Sequence, residues 1–287
     1  IDVTVVPTRF SARYFENLNK NFDVVELTLK KTDIVAFNKK ALNQYSDLYI
    51  WPETGLPFTL QQTNLSDLLL EAVTDWESAL LTGGKGIADF SNSLDKRAYV
   101  SGVLLSHRNN TISYHHKTVL TPGQEVIPYH SLLAKIPKFP ISEFDTRYFK
   151  KGEQSKPLAL TTRENKSFLV GVSLCYEQWY PKHWINLAQN GAEFYTHLAA
   201  EGWYGKFGFK KFMLNVTRMR CIENRKQTAR SANDGLSGFI DQMGRNHNIT
   251  NRINSAIVSS KIIANDNVTF YAKYPNWFPI VGLFILT

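Results

Sequence analysis

The sequence predicts an α/β layered fold in a single domain, because strand-like and helix-like segments alternate along its whole length. The chain has 287 residues, and 43% of them are hydrophobic, enough to bury a sizeable core. Only 20% are charged, which makes disorder and coiled coil poor descriptions. No repeat and no Pro, Ser or Gly-rich linker divides the chain. We therefore expect a central sheet covered by helices.

The predicted strands are short apolar or β-branched runs that end at turn residues. The run Thr111–His115 forms a hairpin with the strand before it, and the wholly apolar run Phe168–Leu174 is typical of a buried strand. The remaining predicted strands are Ile1–Val6, Asp47–Trp51, Tyr99–Ser106, Glu193–Leu198, Leu236–Asp241 and Ser255–Ile263.

The predicted helices show apolar residues at helical spacing and end at helix-breaking residues. Gly191 ends one helix, and the pair Gly83-Gly84 is interpreted as a turn after another. The predicted helices are Ala12–Asn43 with a break near Lys31, Leu65–Ala79, Pro181–Asn190 and Lys211–Lys226.

The net charge is +8, from 33 Lys and Arg against 25 Asp and Glu, which favours an anionic partner. The basic residues are scattered in short pairs, and no nucleic-acid-binding motif accompanies them. We therefore expect attraction to a membrane surface and no nucleic-acid partner. Two cysteines are too few for a disulfide scaffold, although this count does not identify the cellular compartment.

The ends of the sequence indicate a piece of a longer membrane protein. No initiator Met is present, and residues 277–286 are almost entirely apolar yet shorter than the roughly 20 residues that a spanning helix needs. The apolar end is either a buried tail or the start of a membrane helix. We expect a catalytic domain over residues 1–275 and an apolar tail over 276–287 that begins a C-terminal transmembrane helix.

Three chemically useful side chains each follow a predicted strand, namely Glu53, Lys117 and Cys175. In layered α/β folds, the residues just past the carboxyl ends of strands often form the active site. A carboxylate can take the proton of a thiol, and an ammonium can stabilise the oxyanion that forms when the thiolate attacks a carbonyl. Taken singly, the cysteine is more typical of a small core residue and the other two of surface charges. Together they predict an acyl-transfer site.

The sequence around these residues resembles the carbon-nitrogen hydrolase (nitrilase) superfamily, and within it the apolipoprotein N-acyltransferase family. The resemblance rests on Trp51-Pro-Glu-Thr54, on Lys117 with Glu125 eight residues later, and on Cys175-Tyr-Glu177. Further blocks continue it in order to the end of the chain, including Trp203-Tyr-Gly205, Arg218–Glu223, Asn233–Ser237 and Thr269–Tyr274. It implies a nitrilase-like α-β-β-α sandwich.

The resemblance also implies a role for each matching residue. Glu53 is the general base, Lys117 the oxyanion lysine and Cys175 the nucleophile. Glu125 matches a second active-site glutamate. Tyr176 and Glu177 match two positions that shape the pocket. Trp203 matches a tryptophan near the lipid entrance, and packing in the core is an equal alternative for it.

The implied reaction is transfer of a fatty acyl chain from a phospholipid, through a Cys175 thioester, to the N-terminal amine of a diacylglyceryl-cysteine lipoprotein. The implied partners are the phospholipid donor, the lipoprotein N-terminus and a membrane surface. We further expect a monomer without a cofactor, on the periplasmic side of the bacterial inner membrane.

Two other functions remain open at this point. A soluble amidase or nitrilase would use the same three residues with water as the acceptor, and would be a cytoplasmic dimer with a small polar pocket; the apolar segment 277–286 argues against it. A non-catalytic membrane-apposed binding domain ranks last, because all three reactive residues are present.

The sequence departs from the family pattern at several places, two of which follow Cys175 in the chain. Ala200-Glu201-Gly202 stands where Asn-Asp is usual, and Phe212-Met213 where Gln-His is usual. These changes leave Glu53, Lys117 and Cys175 intact, so they bear on donor or acceptor preference more than on reaction type.

No metal site is expected, because the histidines, among them His115, His130 and His183, have no cysteine or carboxylate at ligand spacing. Cys221 is interpreted as a packed core thiol. The segment Trp203–Met213 mixes aromatic residues, glycines and lysines, and is predicted to be a mobile, partly exposed lid that opens toward lipid.

Overall fold

The computed structural model describes residues 1–6, 45–53, 55, 65–88, 98–108, 110–133, 135–136, 149–202, 207–250 and 257–277. The predicted helix Ala12–Asn43 and the residue Trp203 lie outside these ranges, as does nearly all of the predicted apolar tail. Within the described part of the chain, no helix is both long and apolar enough to cross a membrane.

Two six-stranded sheets form the centre of the molecule. The first has the strand order β12-β1-β2-β3-β4-β5, and the second has the order β11-β10-β9-β8-β7-β6. The strands are β1 Asp2–Val5, β2 Leu48–Ile50, β3 Ala79–Ala88, β4 Ala98–Ser106, β5 Thr111–His116, β6 Leu158–Thr161, β7 Ser167–Leu174, β8 Phe194–Ala200, β9 Thr228–Asn233, β10 Ser237–Ile240, β11 Asn246–Thr250 and β12 Val258–Lys261.

The helices in the described ranges are α1 Leu65–Asp75, α2 His130–Leu133, α3 Pro181–Gln189, α4 Phe207–Asn224 and α5 Phe270–Lys273, with a 3₁₀ helix at Cys175–Trp179. Helix α1 packs on the outer face of the first sheet, where Leu69 and Val73 join a buried cluster with Leu80 and Val103. Helix α3 packs on the second sheet through Trp184, which contacts Tyr195 of β8 with ring centroids 4.9 Å apart. Helix, sheet, sheet and helix therefore form four layers, and the predicted α-β-β-α sandwich is confirmed.

The inner faces of the two sheets meet in one apolar core. Leu48 and Ile50 of the first sheet and Val172 and Leu198 of the second belong to the same buried cluster. Alternate residues of a strand point to opposite faces, so these residues face the core while their neighbours face the helices. Burial of this shared surface holds the sheets together.

Strand direction places several loop starts at one edge of the sandwich. Strands β1, β2 and β3 are parallel to one another, and so are β7, β8 and β9. Strand β5 pairs antiparallel with β4, which pairs antiparallel with β3, so β5 runs in the direction of β3. The residues that follow β2 and β5 therefore lie at the same edge of the first sheet. The residues that follow β7, β8 and β9 likewise share one edge of the second sheet.

Three predicted elements differ from those observed. The predicted turn at Gly83-Gly84 is wrong, since both glycines lie inside strand β3. Helix α1 ends at Asp75 rather than Ala79, because Ala79 already pairs with Leu48 in the first sheet. Helix α4 starts at Phe207, four residues before the predicted helix start at Lys211. The second half of the predicted lid therefore forms the first turns of this helix.

Candidate active site

The fold brings together the carboxylate and the lysine that the sequence predicted as catalytic. The ammonium nitrogen of Lys117, after β5, donates to Glu53 Oε1, after β2, at 3.1 Å. It also donates to Oε1 of Glu125 at 2.9 Å. The Lys117 side chain is completely buried, and both carboxylates are nearly so. One buried ammonium thus lies between two carboxylates.

A glycine in the neighbouring strand allows Glu53 to occupy this position. A Cβ atom at Gly83 would lie only 2.1 Å from the backbone oxygen of Glu53, a distance that no side chain tolerates. The N–H of Gly83 also donates to the Pro52 carbonyl at 3.1 Å. Strand β3 therefore supports the backbone of Glu53 directly, which explains why glycine lies inside a strand there.

Glu125 is held by the turn that follows Lys117. Its second oxygen, Oε2, accepts the backbone N–H of Thr121 at 2.7 Å. Burial disfavours the ammonium form of Lys117, but the charges of Glu53 and Glu125 outweigh burial and raise the pKa of Lys117 above its ordinary value. Lys117 is therefore charged at neutral pH.

Cys175 begins the 3₁₀ helix directly after strand β7, with a backbone φ of 43°. This left-handed conformation is strained for a residue with a side chain, and such strain is concentrated at functional sites. The backbone amide of Ala200, at the end of β8, acts to lower the pKa of the Cys175 thiol.

The thiol of Cys175 is held in its protonated form. Burial raises its pKa most, the nearby charge of Glu53 raises it further, and Lys117 opposes both effects. Cys175 is therefore electrostatically coupled to Lys117 and to the two carboxylates that surround it. A resting thiol in such a site needs a base to become a nucleophile.

The two residues after the cysteine have different environments. Tyr176 is partly exposed, and its ring lies 5.4 Å from that of Tyr180 in an edge-to-face contact. Glu177, which the family resemblance assigned to the pocket, is completely buried. Its carboxylate therefore supports the neighbouring segments through hydrogen bonds and is not exposed at the surface of the site.

The carboxylate of Glu177 ties the two predicted catalytic segments together. Its Oε1 accepts the backbone N–H of Thr118 at 2.6 Å and the Thr118 hydroxyl at 2.8 Å. Its Oε2 accepts the backbone N–H of Leu174 at 2.8 Å. Burial opposes ionisation, but two nearby histidines and these donors outweigh it and hold the pKa of Glu177 well below its usual range. One anion thus fixes the residue after Lys117 and the residue before Cys175.

The two histidines beside Glu177 were not foreseen as its partners. His115 Nε2 lies 3.3 Å from Glu177 Oε2, and His183 Nε2 lies 3.5 Å from the same oxygen. The three potential ligand atoms all lie within 4.8 Å of one another. The sequence spacing showed no carboxylate for these histidines because Glu177 is brought to them only by the packing of the two sheets.

Hydrogen bonds already occupy most of this histidine cluster. His183 Nε2 lies 3.1 Å from the Val172 carbonyl, and its Nδ1 lies 2.9 Å from the Ser155 hydroxyl. Burial lowers the pKa of His183 to about 4, so this ring is neutral at pH 7. A neutral ring with Nε2–H donating and Nδ1 accepting satisfies these neighbours. The cluster is thus a hydrogen-bonded support for the site.

Cys221 lies apart from these groups, as expected for a core thiol. It is completely buried in α4 within an apolar cluster that includes Leu214 and Leu236. Its sulfur lies 3.0 Å from the Thr228 hydroxyl, and burial raises its pKa to about 12. On the same helix, Arg220 and Glu223 stand three residues apart and form an ion pair at 2.9 Å.

The exposed face near the site is aromatic. Phe209 and Phe212 of α4 are both exposed, and their ring centroids are 6.0 Å apart. The Phe212 ring also lies 5.4 Å from that of Trp179, in the 3₁₀ helix that begins at Cys175. The part of the predicted lid that the structure describes is therefore a partly exposed helical turn next to the 3₁₀ helix Cys175–Trp179.

Comparison with known families and proteins gives one consistent result. The model of the carbon-nitrogen hydrolase family matches residues 10–277. The chain is 27% identical over 251 residues to the apolipoprotein N-acyltransferase of Chlorobaculum tepidum, a match that covers 83% of this chain and 47% of that protein. It is 24% identical to the enzyme of the same name from Geobacter metallireducens, over 81% of this chain and 43% of that protein. The chain thus spans about half the length of the curated relatives it matches.

Among solved structures, a mutant of the Nesterenkonia AN1 amidase from the nitrilase superfamily aligns with a TM-score of 0.66. The alignment covers 99% of this chain and 97% of that one, at 13% sequence identity. The NitFhit protein of C. elegans aligns with a TM-score of 0.63 at 15% identity, over 98% of this chain and 64% of that one. At such identities the likeness concerns the fold alone.

Proposed function

This chain belongs to the carbon-nitrogen hydrolase family, and we propose that it is the catalytic domain of an N-acyltransferase that works through a cysteine thioester. The donor is a phospholipid, and the acceptor is the N-terminal amine of a diacylglyceryl-cysteine lipoprotein. The curated relatives named apolipoprotein N-acyltransferase support this choice of acyl transfer over hydrolysis.

The observation that carries the proposal is the buried ammonium between two carboxylates, electrostatically coupled to the thiol. Lys117 is held by Glu53 and Glu125 at 3.1 and 2.9 Å, and Cys175 lies within the field of all three. A protonated thiol, a carboxylate base and a fixed cation are the groups that acyl transfer from an ester requires.

In the first step, Glu53 takes the proton of the Cys175 thiol as the sulfur attacks the ester carbonyl carbon of the donor. The negative charge that develops on the carbonyl oxygen is stabilised by the Lys117 ammonium and by the backbone N–H of Tyr176. The C–O bond then breaks, and Glu53 returns its proton to the departing lysophospholipid oxygen. The acyl chain remains on Cys175 as a thioester.

In the second step, the acceptor amine attacks the thioester carbonyl and Glu53 takes a proton from the nitrogen. The C–S bond breaks, an amide forms, and the sulfur regains its proton from Glu53. Glu125 shares the charge of Lys117 throughout, so the ammonium stays oriented while Glu53 gains and loses a proton. Water must be kept from the thioester, which suits an apolar entrance such as the exposed aromatic side chains of Phe209 and Phe212.

The location belongs to the proposal as well. A periplasmic position at the inner membrane, with residues 1–275 as the catalytic domain and 276–287 leading to a membrane helix, fits a lipid donor and a lipoprotein acceptor. A monomer is sufficient for the mechanism, because every group it uses comes from one chain.

The test is the intact mass of the protein after mixing with phospholipid in detergent. We expect an added fatty acyl group on Cys175 that disappears when a diacylglyceryl-cysteine peptide is supplied, with the acyl chain recovered on the peptide. The Cys221→Ala variant is the matched control and should form the same adduct. Release of free fatty acid without transfer, or hydrolysis of a small amide, would instead favour the amidase function.

A further inference from the structure

Three aromatic side chains form an exposed cluster at helix α5, the last helix of the described chain. Phe270, Tyr274 and Trp277 have exposed fractions of 60%, 58% and 41%. The ring centroid of Phe270 lies 5.1 Å from that of Tyr274 and 5.5 Å from that of Trp277. A single exposed aromatic residue is ordinary, whereas several rings in contact at the surface indicate an interaction site. We call these three residues the α5 cluster.

The backbone beneath the α5 cluster is fixed to the rest of the domain. Ala272 of α5 is completely buried, in the same apolar cluster as Trp184 of α3. The Gln189 side chain donates to the Ala272 carbonyl at 2.7 Å. The Thr269 hydroxyl, at the start of α5, donates to the Glu223 carbonyl of α4 at 2.8 Å. The fold itself therefore holds the rings of the α5 cluster at the surface.

The segment that leads into α5 surrounds a buried charge, while α5 exposes its rings. The Lys226 ammonium donates to the carbonyls of Asn265 and Asn267 at 2.5 and 3.1 Å, and Lys226 is completely buried. Lysine is among the residue types most often found at the surface, and phenylalanine is among those most often buried. This distribution is the reverse of the usual one, so packing within the domain does not account for the exposed rings.

The α5 cluster is too small to bind a second copy of the chain by itself. A large aromatic side chain has about 150–250 Å² of surface, so three rings exposed by about half present roughly 300 Å². A stable interface between proteins covers about 800 Å² of each partner. Binding to a lipid interface has no such threshold, because it strengthens with each apolar side chain that is inserted.

The α5 cluster also has the chemistry of a membrane boundary. Tyr and Trp combine an apolar ring with one polar group, and both are enriched where the hydrocarbon core meets water. Lys273, the charged residue of α5, is exposed, and an ammonium is attracted to anionic head groups. The sequence directly after the cluster, residues 278–286, contains no charged side chain. A lipid surface therefore matches both the cluster and its surroundings in the sequence.

We propose that the α5 cluster inserts into the head-group layer of a lipid membrane and anchors the domain there. The inference rests on the proposed function in placing this domain at a membrane, but it uses none of the groups around Cys175. Because α5 is fixed to α3 and α4, insertion of the cluster sets the orientation of the whole domain relative to the lipid.

The test is the binding of the chain to vesicles of phosphatidylethanolamine and phosphatidylglycerol, measured by sedimentation. The variant Phe270→Ser/Tyr274→Ser replaces exposed side chains, so its melting temperature should stay close to that of the parent. We expect its partition coefficient onto vesicles to fall about tenfold or more, since both rings lose their apolar contact with lipid. Parental binding by the folded variant, or a parent that does not bind, would overturn the proposal.

The matched control is Met219→Ser/Met243→Ser. It replaces two apolar side chains of similar exposure, 51% and 52%, that lie outside the α5 cluster. This control should bind vesicles as the parent does. An equal loss in the two double variants would show that exposed apolar side chains contribute alike wherever they lie, which contradicts an anchor at α5.

A second measurement does not depend on the folding of the serine variant. Trp277→Phe keeps an aromatic ring, and the difference between its fluorescence and that of the parent reports Trp277 alone. We expect vesicles of brominated phospholipid to quench this difference signal, and an unquenched signal would contradict insertion.

Sedimentation velocity without lipid separates the proposal from self-association. The parent and the serine variant should have the same mass, and a parental dimer that dissociates in the variant would make the α5 cluster a contact between copies instead. Vesicle binding needs no acyl transfer, so a missing acyl adduct on Cys175 would count against the proposed function alone.

Discussion

The surroundings of Cys175 and Cys221 differ in kind, although both thiols are shielded and both have raised pKa values. Cys221 lies in a regular helix among apolar side chains, with one hydroxyl at 3.0 Å. Cys175 lies on a strained turn, in the electrostatic field of Glu53, Lys117 and Glu125. A high thiol pKa alone therefore does not separate a core thiol from the proposed nucleophile. The nearby Glu53 carboxylate and Lys117 ammonium make the difference.

Among the substitutions that test this difference between the two cysteines, the largest effect is expected from Cys175→Ala. We expect complete loss of thioester formation, because no other described nucleophile adjoins the base, while the circular dichroism spectrum stays that of the folded protein. The readout is the acyl adduct by intact mass. An adduct of parental yield in this variant would remove Cys175 from the mechanism.

The next largest effect is expected from Glu53→Gln. The amide has the shape of the carboxyl group but neither accepts nor returns the proton, so the rate of thioester formation should fall by about 10²- to 10⁴-fold. Single-turnover kinetics over a range of pH measure it. Recovery of the full rate at high pH would show that the thiolate forms without Glu53.

Lys117→Met tests the cation that distinguishes the two cysteines. Loss of one oxyanion donor typically costs about 10²- to 10³-fold in the chemical step. Two facing carboxylates also remain without their cation, so the free energy of unfolding should fall by about 3 kcal/mol or more. A variant with weakened lipid binding but an unchanged chemical step would make Lys117 a head-group ligand instead.

The buried His183, which lies beside Glu177, makes the folding stability of the domain sensitive to acid. The pKa of His183 is about 4 in the fold, against 6.5 ordinarily, so between these values the unfolded chain binds a proton that the folded chain does not. Stability is therefore lost as the pH falls from 6.5 toward 4, by about 3 kcal/mol from this group. Urea unfolding of the parent and of His183→Gln across this range should show a shallower pH slope in the variant. Equal slopes would mean that His183 does not govern the acid sensitivity.

The smallest effect should follow from Cys221→Ala. Removing one buried sulfur leaves a small cavity, which costs about 1–2 kcal/mol, and the acyl adduct should form at the parental rate. Thermal melting and intact mass measure the two quantities. A loss of transfer in this folded variant would erase the contrast between the two cysteines.

The sequence indicated the strand ends that precede Glu53, Lys117 and Cys175, but it did not indicate every strand of the two sheets. Glu53, Lys117 and Cys175 each follow an apolar strand, a pattern visible in the chain itself. Strand β9 was missed because its helix-facing positions, Thr228 and Arg230, are polar residues buried by hydrogen bonds and an ion pair. Only the tertiary structure shows that these side chains are inside.

The role of Glu177 was missed for a related reason. Its partners Thr118 and His115 are about 60 residues away in sequence, and no local spacing indicates such contacts. Gly83 was interpreted as part of a turn because glycine often marks one. Here glycine is required because the Glu53 backbone lies too close for any side chain. Both cases depend on how separate segments meet, and a sequence pattern describes only one segment at a time.

The left-handed backbone at Cys175 also has an evolutionary consequence. A residue with a side chain at a φ of 43° costs of order 1 kcal/mol or more in folding free energy, and glycine would largely avoid that cost. The domain is therefore less stable than its own fold permits, at the position of the proposed nucleophile. On the proposed function, a descendant that lost its activity would gain stability by accepting glycine at 175, and selection for turnover would oppose selection for folding at this residue.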